Sequence, residues 1–186
     1  MSQVKQARAT LADLYREPGK AELIGGRIVP IMPPGRKPHR VAFRIARSLD
    51  DYAEQTGVGE AYGDNMGFAV DPLPSGRESF SPDAAFYVGP FPNNPMRFIE
   101  GAPRLGVEVR SENDYGDAAE IEMAEKRTDY FAAGTLVVWD VDPMNECVHV
   151  YRASAPTQST TYRRGEVAEA EPAVPGWRIA VDQIFG

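Results

Sequence analysis

Two carboxylates stand in apolar segments of the chain and could hold a metal ion. Asp83 precedes the apolar segment 84–88, and Glu108 lies inside another, between Val107 and Val109. Such a carboxylate is costly to bury unless it is paired or bound to a metal. If both segments are neighbouring strands, the carboxylates converge at one sheet edge. With a main-chain carbonyl, that of Val109, they offer the oxygen ligands that Mg²⁺ or Mn²⁺ prefers.

A lysine follows these carboxylates in a helical segment. A divalent ion held by the carboxylates can activate water and stabilise charge on a phosphodiester. The ammonium of Lys126 could then point at the attacking water or at the scissile phosphate. Simpler interpretations stay open at this point. Asp83 could belong to a turn, Glu108 could pair with an arginine, and Lys126 could pair with Glu122 on a helix surface.

Hydrophobic spacing and turn residues predict an α/β (α+β) fold with a mixed central β-sheet flanked by α-helices. The predicted helices are 10–15, 39–55 and 117–133. The predicted strands are two short ones around Gly25-Gly26, then 84–88, 105–110, 135–141, 146–152 and 177–181. Segment 89–103, rich in proline, is predicted to be a long loop, and Pro33 to Pro38 mark another. The expected organisation is a single domain over 1–186, with a helical extension at 1–20 and C-terminal strands in 153–186.

The predicted helices carry distinct faces and ends. Apolar residues at helical spacing predict a core-facing stripe on each long helix. On the first these are Val41, Ile45, Leu49 and Tyr52, and on the second Ile121, Ala124, Thr128 and Phe131. Gly57 and Gly134 are expected to end the two helices. Ser111, Asn113 or Asp114 is expected to cap the start of the second.

The acidic charge of the protein lies in its C-terminal part. The 186 residues carry a formal net charge of −7. Residues 1–110 contain 14 Lys+Arg against 13 Asp+Glu, and residues 111–186 contain 6 against 14. A nucleic acid should therefore approach the N-terminal half, where Arg40, Arg44 and Arg47 follow helical spacing. This stripe is a candidate phosphate contact or an ordinary solvated face.

Cysteine and histidine content limits other chemistry. Cys147 is the only cysteine, which excludes an internal disulfide and suits a reducing cytoplasm. We interpret it as a buried thiol of segment 146–152, and His149 has no predicted role. Two histidines, one cysteine and no C-x-x-C motif leave too little for a zinc site. No apolar run is long enough to span a membrane, and no secretory signal is visible.

Several short motifs occur in a characteristic order between Glu22 and Tyr151. They are Glu22-Leu-Ile-Gly-Gly, His39, Pro82-Asp83, Glu108-Val-Arg-Ser111, Lys126 with Tyr130, Ala133-Gly134, and Trp139-Asp-Val-Asp-Pro143. With its motifs in this order, the chain resembles the PD-(D/E)XK superfamily of restriction-endonuclease-like nucleases. Within that superfamily it resembles the Uma-type family of restriction endonucleases.

The resemblance implies a restriction-endonuclease-like core and a metal-dependent endonuclease that hydrolyses DNA. It assigns Asp83 and Glu108 as metal ligands for Mg²⁺ or Mn²⁺. The superfamily places a lysine two residues after the glutamate, where this chain has Arg110. The resemblance implies that Lys126, from the following helix, takes the role of this lysine. Arg110 remains a substitute cation, although a guanidinium is a poor general base.

Further roles remain open at the level of sequence. Glu22 is either a third catalytic carboxylate or the partner of a surface arginine. His39 either contacts phosphate or helps to position Glu22, or it only caps the helix or packs. Arg110 and the acidic C-terminal part motivate a second hypothesis, a catalytically inactive module of the same fold that binds nucleic acid or protein. Nucleases of this fold often act as dimers, so the resemblance also implies a homodimer as a possible assembly. No membrane partner is expected.

Overall fold

The computed structural model describes residues 8–186, and the first seven residues of the predicted N-terminal extension lie outside this range. The helices within it are α1 (Leu11–Leu14), α2 (Arg36–Thr56), α3 (Asp117–Ala132) and α4 (Val181–Phe185). The strands within it are β1 (Ala21–Ile24), β2 (Arg27–Pro30), β3 (Glu60–Tyr62), β4 (Phe68–Ala69), β5 (Ser79–Phe80), β6 (Ala84–Tyr87), β7 (Ile99–Glu100), β8 (Leu105–Val109), β9 (Val137–Asp142), β10 (Cys147–Arg152), β11 (Ala155–Arg163), β12 (Val167–Glu169) and β13 (Arg178–Ala180).

A mixed six-stranded sheet forms the centre of the fold, as predicted. Its strand order is β11-β10-β9-β8-β6-β3. β8 and β9 are parallel, and the other pairs of this sheet are antiparallel. Parallel neighbours need a crossover connection, and α3 provides it. The smaller sheets β1-β2, β5-β4-β7 and β12-β13 surround this centre.

One face of the central sheet packs on α2 through an apolar core. Val41, Ile45 and Leu49 are almost fully buried there, as their spacing predicts. α2 ends at Gly57, whose φ of 66° is the left-handed conformation that favours glycine. α2 begins at Arg36, earlier than the predicted residue 39. Pro38 fits this first turn because the amide nitrogens there have no partner within the helix.

The opposite face of the sheet packs on α3, where Tyr130 and Phe131 join an apolar cluster and charged side chains lie beside it. The predicted apolar stripe of α3 packs only in part, because Phe131 is half-buried against an apolar cluster, whereas Ile121 is 60% exposed and Ala124 and Thr128 are exposed as well. The buried residues of α3 are Asp129 and Tyr130. The helix directs polar side chains toward the sheet because they form ion pairs there: Asp129 with Arg77, and Lys126 with Glu22 and Glu108.

Several boundaries differ from the sequence expectation. α3 starts after Gly116, which has a φ of 96° and makes no side-chain cap, so none of the predicted capping residues serves that role. Asp114 instead accepts a hydrogen bond from the Ser111 amide at 2.6 Å. The predicted loop 89–103 contains β7, and the predicted last strand ends at Ala180, where α4 begins. Across residues 8–186, the structure has no helix of the length and apolarity that crossing a bilayer requires.

Candidate active site

Asp83 and Glu108 lie side by side at the edge where β6 begins and β8 ends. The register that pairs Ala84 with Val107 brings Asp83 next to Glu108. The Asp83 amide donates to the Val107 carbonyl at 3.0 Å, and the Val109 amide donates to Asp83 Oδ2 at 2.8 Å. The backbone of β8 therefore fixes the Asp83 carboxylate beside Glu108.

α3 delivers Lys126 and Tyr130 to Glu108. Lys126 Nζ lies 2.9 Å from Glu108 Oε1, and the Tyr130 hydroxyl donates to the same oxygen at 2.6 Å. The two residues are one helical turn apart and share a face. Gly106 makes room for Tyr130, because a Cβ at this position would lie 3.1 Å from the tyrosine ring. Phe80 stacks on that ring with centroids 4.1 Å apart.

Glu22 joins the same cluster from β1. It is 4% exposed, and its Oε1 lies 3.1 Å from Lys126 Nζ and accepts the Ser81 amide at 2.9 Å. Its Oε2 accepts a hydrogen bond from Arg77, whose Nε donates to Asp129 Oδ2 at 2.9 Å. Glu22 thus pairs with a buried arginine, not with a surface one, and also lies beside Lys126, and its catalytic role remains a prediction.

Lys20 approaches Asp83 from the other side. Its Nζ lies 2.9 Å from Asp83 Oδ1 and 2.6 Å from Asp64 Oδ1. The lysine side chain is nearly buried. Asp83 is therefore held at one oxygen by a lysine and at the other by the backbone.

The cluster has more negative than positive charge. Five carboxylates are in ion pairs with three cations, for a formal charge of −2: Glu22, Asp64, Asp83, Glu108 and Asp129 with Lys20, Arg77 and Lys126. Burial raises the pKa of Glu108, and the carboxylates of Asp83 and Glu22 raise it further against the opposing Lys126. Burial disfavours the Lys126 ammonium, but Glu108 and Glu22 outweigh it and raise the pKa of Lys126.

A cavity of about 910 Å³ opens onto these groups. Its wall includes Glu22, Asp83, Glu108 and Lys126. The segment that joins β2 to α2 lines it on one side, and residues 109–114 line it on the other. This volume is at the upper end of the range for small-molecule sites, so it admits a segment of a larger substrate.

The ligand atoms at this cavity suit a hard divalent cation. Glu108 receives both contacts on Oε1, and no residue in 8–186 donates to its Oε2. The carbonyl of Val109 points to the same side as its amide, toward Asp83, because both groups of a strand residue face one neighbour. The set is all oxygen, with excess negative charge, and it fits Mg²⁺ or Mn²⁺.

Arg110 faces a different partner. Its guanidinium donates to both oxygens of Asp140 at 2.8 Å and also pairs with Glu120. Arg127 adds a contact to Asp140 at 3.2 Å. Arg110 lines the cavity, but its donors are directed at these carboxylates and not at Glu108. Its catalytic role remains a prediction.

The predicted phosphate contacts on α2 lie outside the cavity wall. Arg40 and Arg47 are exposed, and His39 is exposed as well. Arg44 is half-buried and donates to the Ile184 carbonyl at 3.0 Å, which ties it to α4. Arg36 and Lys37, one turn earlier, do line the cavity. Binding of nucleic acid by the four predicted residues remains a prediction.

Sequence reasoning missed Lys20, Arg77, Asp64 and Asp129 as members of the cluster. Two of them carried a local signal. Lys20 lies two residues before Glu22, so strand alternation directs both side chains to one face. Asp129 lies one helical turn after Lys126. Arg77 and Asp64 had no local signal, because their partners come from distant segments.

Comparisons with known proteins identify the family and the fold of the chain. A family model described as "Uma2: Putative restriction endonuclease" matches residues 8–182. The comparison with curated proteins finds no matching sequence. A solved structure from Anabaena variabilis ATCC 29413, described as a putative nuclease belonging to DUF820, superimposes with a TM-score of 0.72. It is 18% identical, and the match covers 95% of this chain and 97% of that chain, so it shows a shared fold.

Proposed function

Because the chain belongs to the Uma2 family, we propose that it is a divalent-metal-dependent endonuclease that hydrolyses DNA phosphodiester bonds in the cytoplasm. The observation that carries the proposal is the meeting of Asp83, Glu108 and Lys126 at one cavity. The carboxylates of Asp83 and Glu108 and the carbonyl of Val109 would hold Mg²⁺ or Mn²⁺. An ion there supplies activation of water and neutralises charge on the phosphodiester.

The side chains around the ligands have separate tasks. Lys126 presents its ammonium to the scissile phosphate or the attacking water, where it offsets developing negative charge. Glu22 holds Lys126 from the opposite side and is itself fixed by Arg77 and the Ser81 amide. Tyr130 orients the Glu108 carboxylate, as outer partners of metal ligands commonly do.

The start of α2 supplies a second contact for the DNA backbone. Gly35, Arg36 and Lys37 line the cavity, and Gly35 makes no side-chain cap. The free amides and positive dipole end of a helix attract phosphate. Arg40 and Arg47 extend this charge along the exposed side of α2. We therefore propose that the DNA strand enters between the start of α2 and the 109–114 segment.

DNA cleavage tests the proposal. Supercoiled plasmid is incubated with the full chain and Mg²⁺ or Mn²⁺, with EDTA in a parallel reaction. We expect nicking that requires the ion, is lost with EDTA, and falls at least about 10²-fold in Asp83→Asn and Glu108→Gln. Glu125→Gln, an exposed position on α3, is the matched control and should cleave as the unmodified chain does.

Two results would overturn the assignment. Cleavage at the unmodified rate by Asp83→Asn or Glu108→Gln would show that the site is wrong. Absence of cleavage, with intact folding and no Mn²⁺ binding by calorimetry, would favour the alternative, a catalytically inactive module that binds nucleic acid or protein. Sedimentation of the active preparation would test the homodimer.

A further inference from the structure

A second group of ligand side chains lies in the sheet, away from the cavity. Asp142, Cys147 and His149 each offer one ligand atom, and these atoms lie within 4.8 Å of one another. Asp142 and Cys147 are directly paired across β9 and β10, and His149 follows Cys147 on the same face of β10. The spacing of these residues in sequence does not reveal the group, because strand pairing creates it.

The distance between sulfur and nitrogen matches a metal site. Cys147 Sγ lies 3.5 Å from His149 Nε2. With zinc bonds of about 2.3 Å to sulfur and 2.0–2.1 Å to nitrogen, tetrahedral geometry separates these two atoms by about 3.5 Å. A single ion can therefore replace the proton that the two groups share. The two side chains need not move apart to admit it.

Neighbouring residues orient two of the three groups, His149 and Asp142. His149 Nδ1 lies 2.8 Å from Thr161 Oγ1, and in the tautomer that donates this bond Nε2 keeps its lone pair toward Cys147. Tyr115 donates to Asp142 Oδ1 at 2.8 Å, and the Asn145 side chain donates to Oδ2 at 2.6 Å. Each carboxylate oxygen has two acceptor sites, so Oδ2 retains one. Such outer hydrogen bonds are typical of metal ligands.

We propose that Asp142, Cys147 and His149 bind a thiophilic divalent transition metal ion such as Zn²⁺, independently of the oxygen site in the cavity. Binding forms bonds from the ion to Sγ, Nε2 and a carboxylate oxygen. The thiol proton passes to solvent, and water completes the coordination. His149 is half-buried, so solvent reaches the group from its side. The ion joins β9 to β10 across their turn.

Co²⁺ is the probe, because a cobalt–thiolate bond gives a near-ultraviolet charge-transfer band that oxygen ligands do not give. Cys147 is the only cysteine, so the band reports this site alone. We expect this band to saturate with one Co²⁺ at this site and to disappear when Zn²⁺ displaces that ion. The band should vanish in Cys147→Ser, and Co²⁺ affinity should fall at least about 10-fold in His149→Gln, which removes one of three protein ligands.

Glu108→Gln is the matched control, since it alters the cavity and should keep the band. Circular dichroism verifies the fold of each variant. A full chain that gives no thiolate band at saturating Co²⁺ would overturn the proposal. So would a His149→Gln variant that binds Co²⁺ as tightly as the unmodified chain, because the thiol would then be acting without the histidine.

Discussion

Lys126 Nζ lies 2.9 Å from Glu108 Oε1, so a lysine of α3 meets the carboxylate of β8. The strand itself offers Arg110 two residues after Glu108, but that guanidinium is engaged by Asp140. The helix thus supplies the cation at the position where the strand does not. This contact explains why α3 buries polar side chains while Ile121, Ala124 and Thr128 stay exposed.

Replacing Lys126 by methionine should separate catalysis from metal binding. Lys126→Met keeps the length of the side chain and removes its charge. We expect DNA cleavage to fall about 10²–10³-fold, as when a charge-stabilising donor is lost. Mn²⁺ affinity should not fall, because the variant lacks the Lys126 ammonium that repels a metal ion beside its ligands. Single-turnover cleavage and calorimetry measure the two effects, and Glu125→Gln controls for the helix surface. Unchanged cleavage would refute the role of Lys126.

Tyr130→Phe tests the orientation of Glu108 without a change of charge. The ring keeps its stack on Phe80, but Glu108 Oε1 loses the 2.6 Å hydrogen bond. Loss of an outer hydrogen bond lowers metal affinity by about 10–100-fold, so Mn²⁺ calorimetry should show a drop of this size. Tyr62→Phe, whose hydroxyl contacts Glu60 instead, should bind Mn²⁺ normally. Equal affinities in both variants would exclude an orienting role for Tyr130.

The ion pairs of Arg77 should contribute strongly to stability. Arg77→Met leaves Glu22 and Asp129 buried without this partner. Breaking a buried pair on one side costs about 3–5 kcal/mol, and urea unfolding measures the loss. Arg97→Met, which removes an exposed cation over the Tyr15 ring, should cost at most about 1 kcal/mol. If both variants lose the same free energy of unfolding, the buried ion pairs of Arg77 do not contribute strongly to stability.

The exposed stripe of α3 can be tested by inserting a charge. Ile121→Lys should change the free energy of unfolding by less than about 0.5 kcal/mol, as surface substitutions do. The same substitution at Ile45, which is fully buried on α2, should cost about 4 kcal/mol or more. Equal destabilisation in chemical denaturation would mean that α3 packs through its apolar stripe after all.

A carboxylate at the start of α2 should weaken DNA binding. Gly35 has a φ of −68° and a ψ of 173°, which other residues adopt without strain. Gly35→Asp places a negative charge at the proposed phosphate contact and changes stability by only a few tenths of a kcal/mol. Fluorescence anisotropy with duplex DNA should show lower affinity than for Gly35→Ser, which caps the helix without charge. Equal affinities would remove α2 from the binding surface.

Local signals were enough to predict much of the fold. The Gly25-Gly26 turn, the end of α2 at Gly57 and the buried strand β9 all follow from residues close in sequence. The sequence predicted the strands at Asp83 and Glu108 but left open whether they are neighbours, and the sheet order places β6 beside β8. Periodicity also predicted the correct buried face of α2, because apolar packing alone determines which side of this helix faces the sheet.

The face of α3 could not be predicted in the same way. Apolar periodicity pointed to Ile121, but ion pairs with Glu22 and Glu108 offset the cost of burying Lys126. Arg77 was missed for the same reason, since its partners lie in β1 and α3. Contacts of this kind depend on tertiary structure, and the sequence rules for secondary structure do not contain them.

The position of a bound metal ion would show whether Asp83, Glu108 and Lys126 form one metal-dependent active site. A crystal of the full chain soaked in Mn²⁺ gives an anomalous signal that locates the ion. We expect a peak in the cavity, coordinated by the carboxylates of Asp83 and Glu108 and by the carbonyl of Val109, with Lys126 beside it. A peak elsewhere with this cavity empty, or no peak at saturating Mn²⁺, would contradict this expectation.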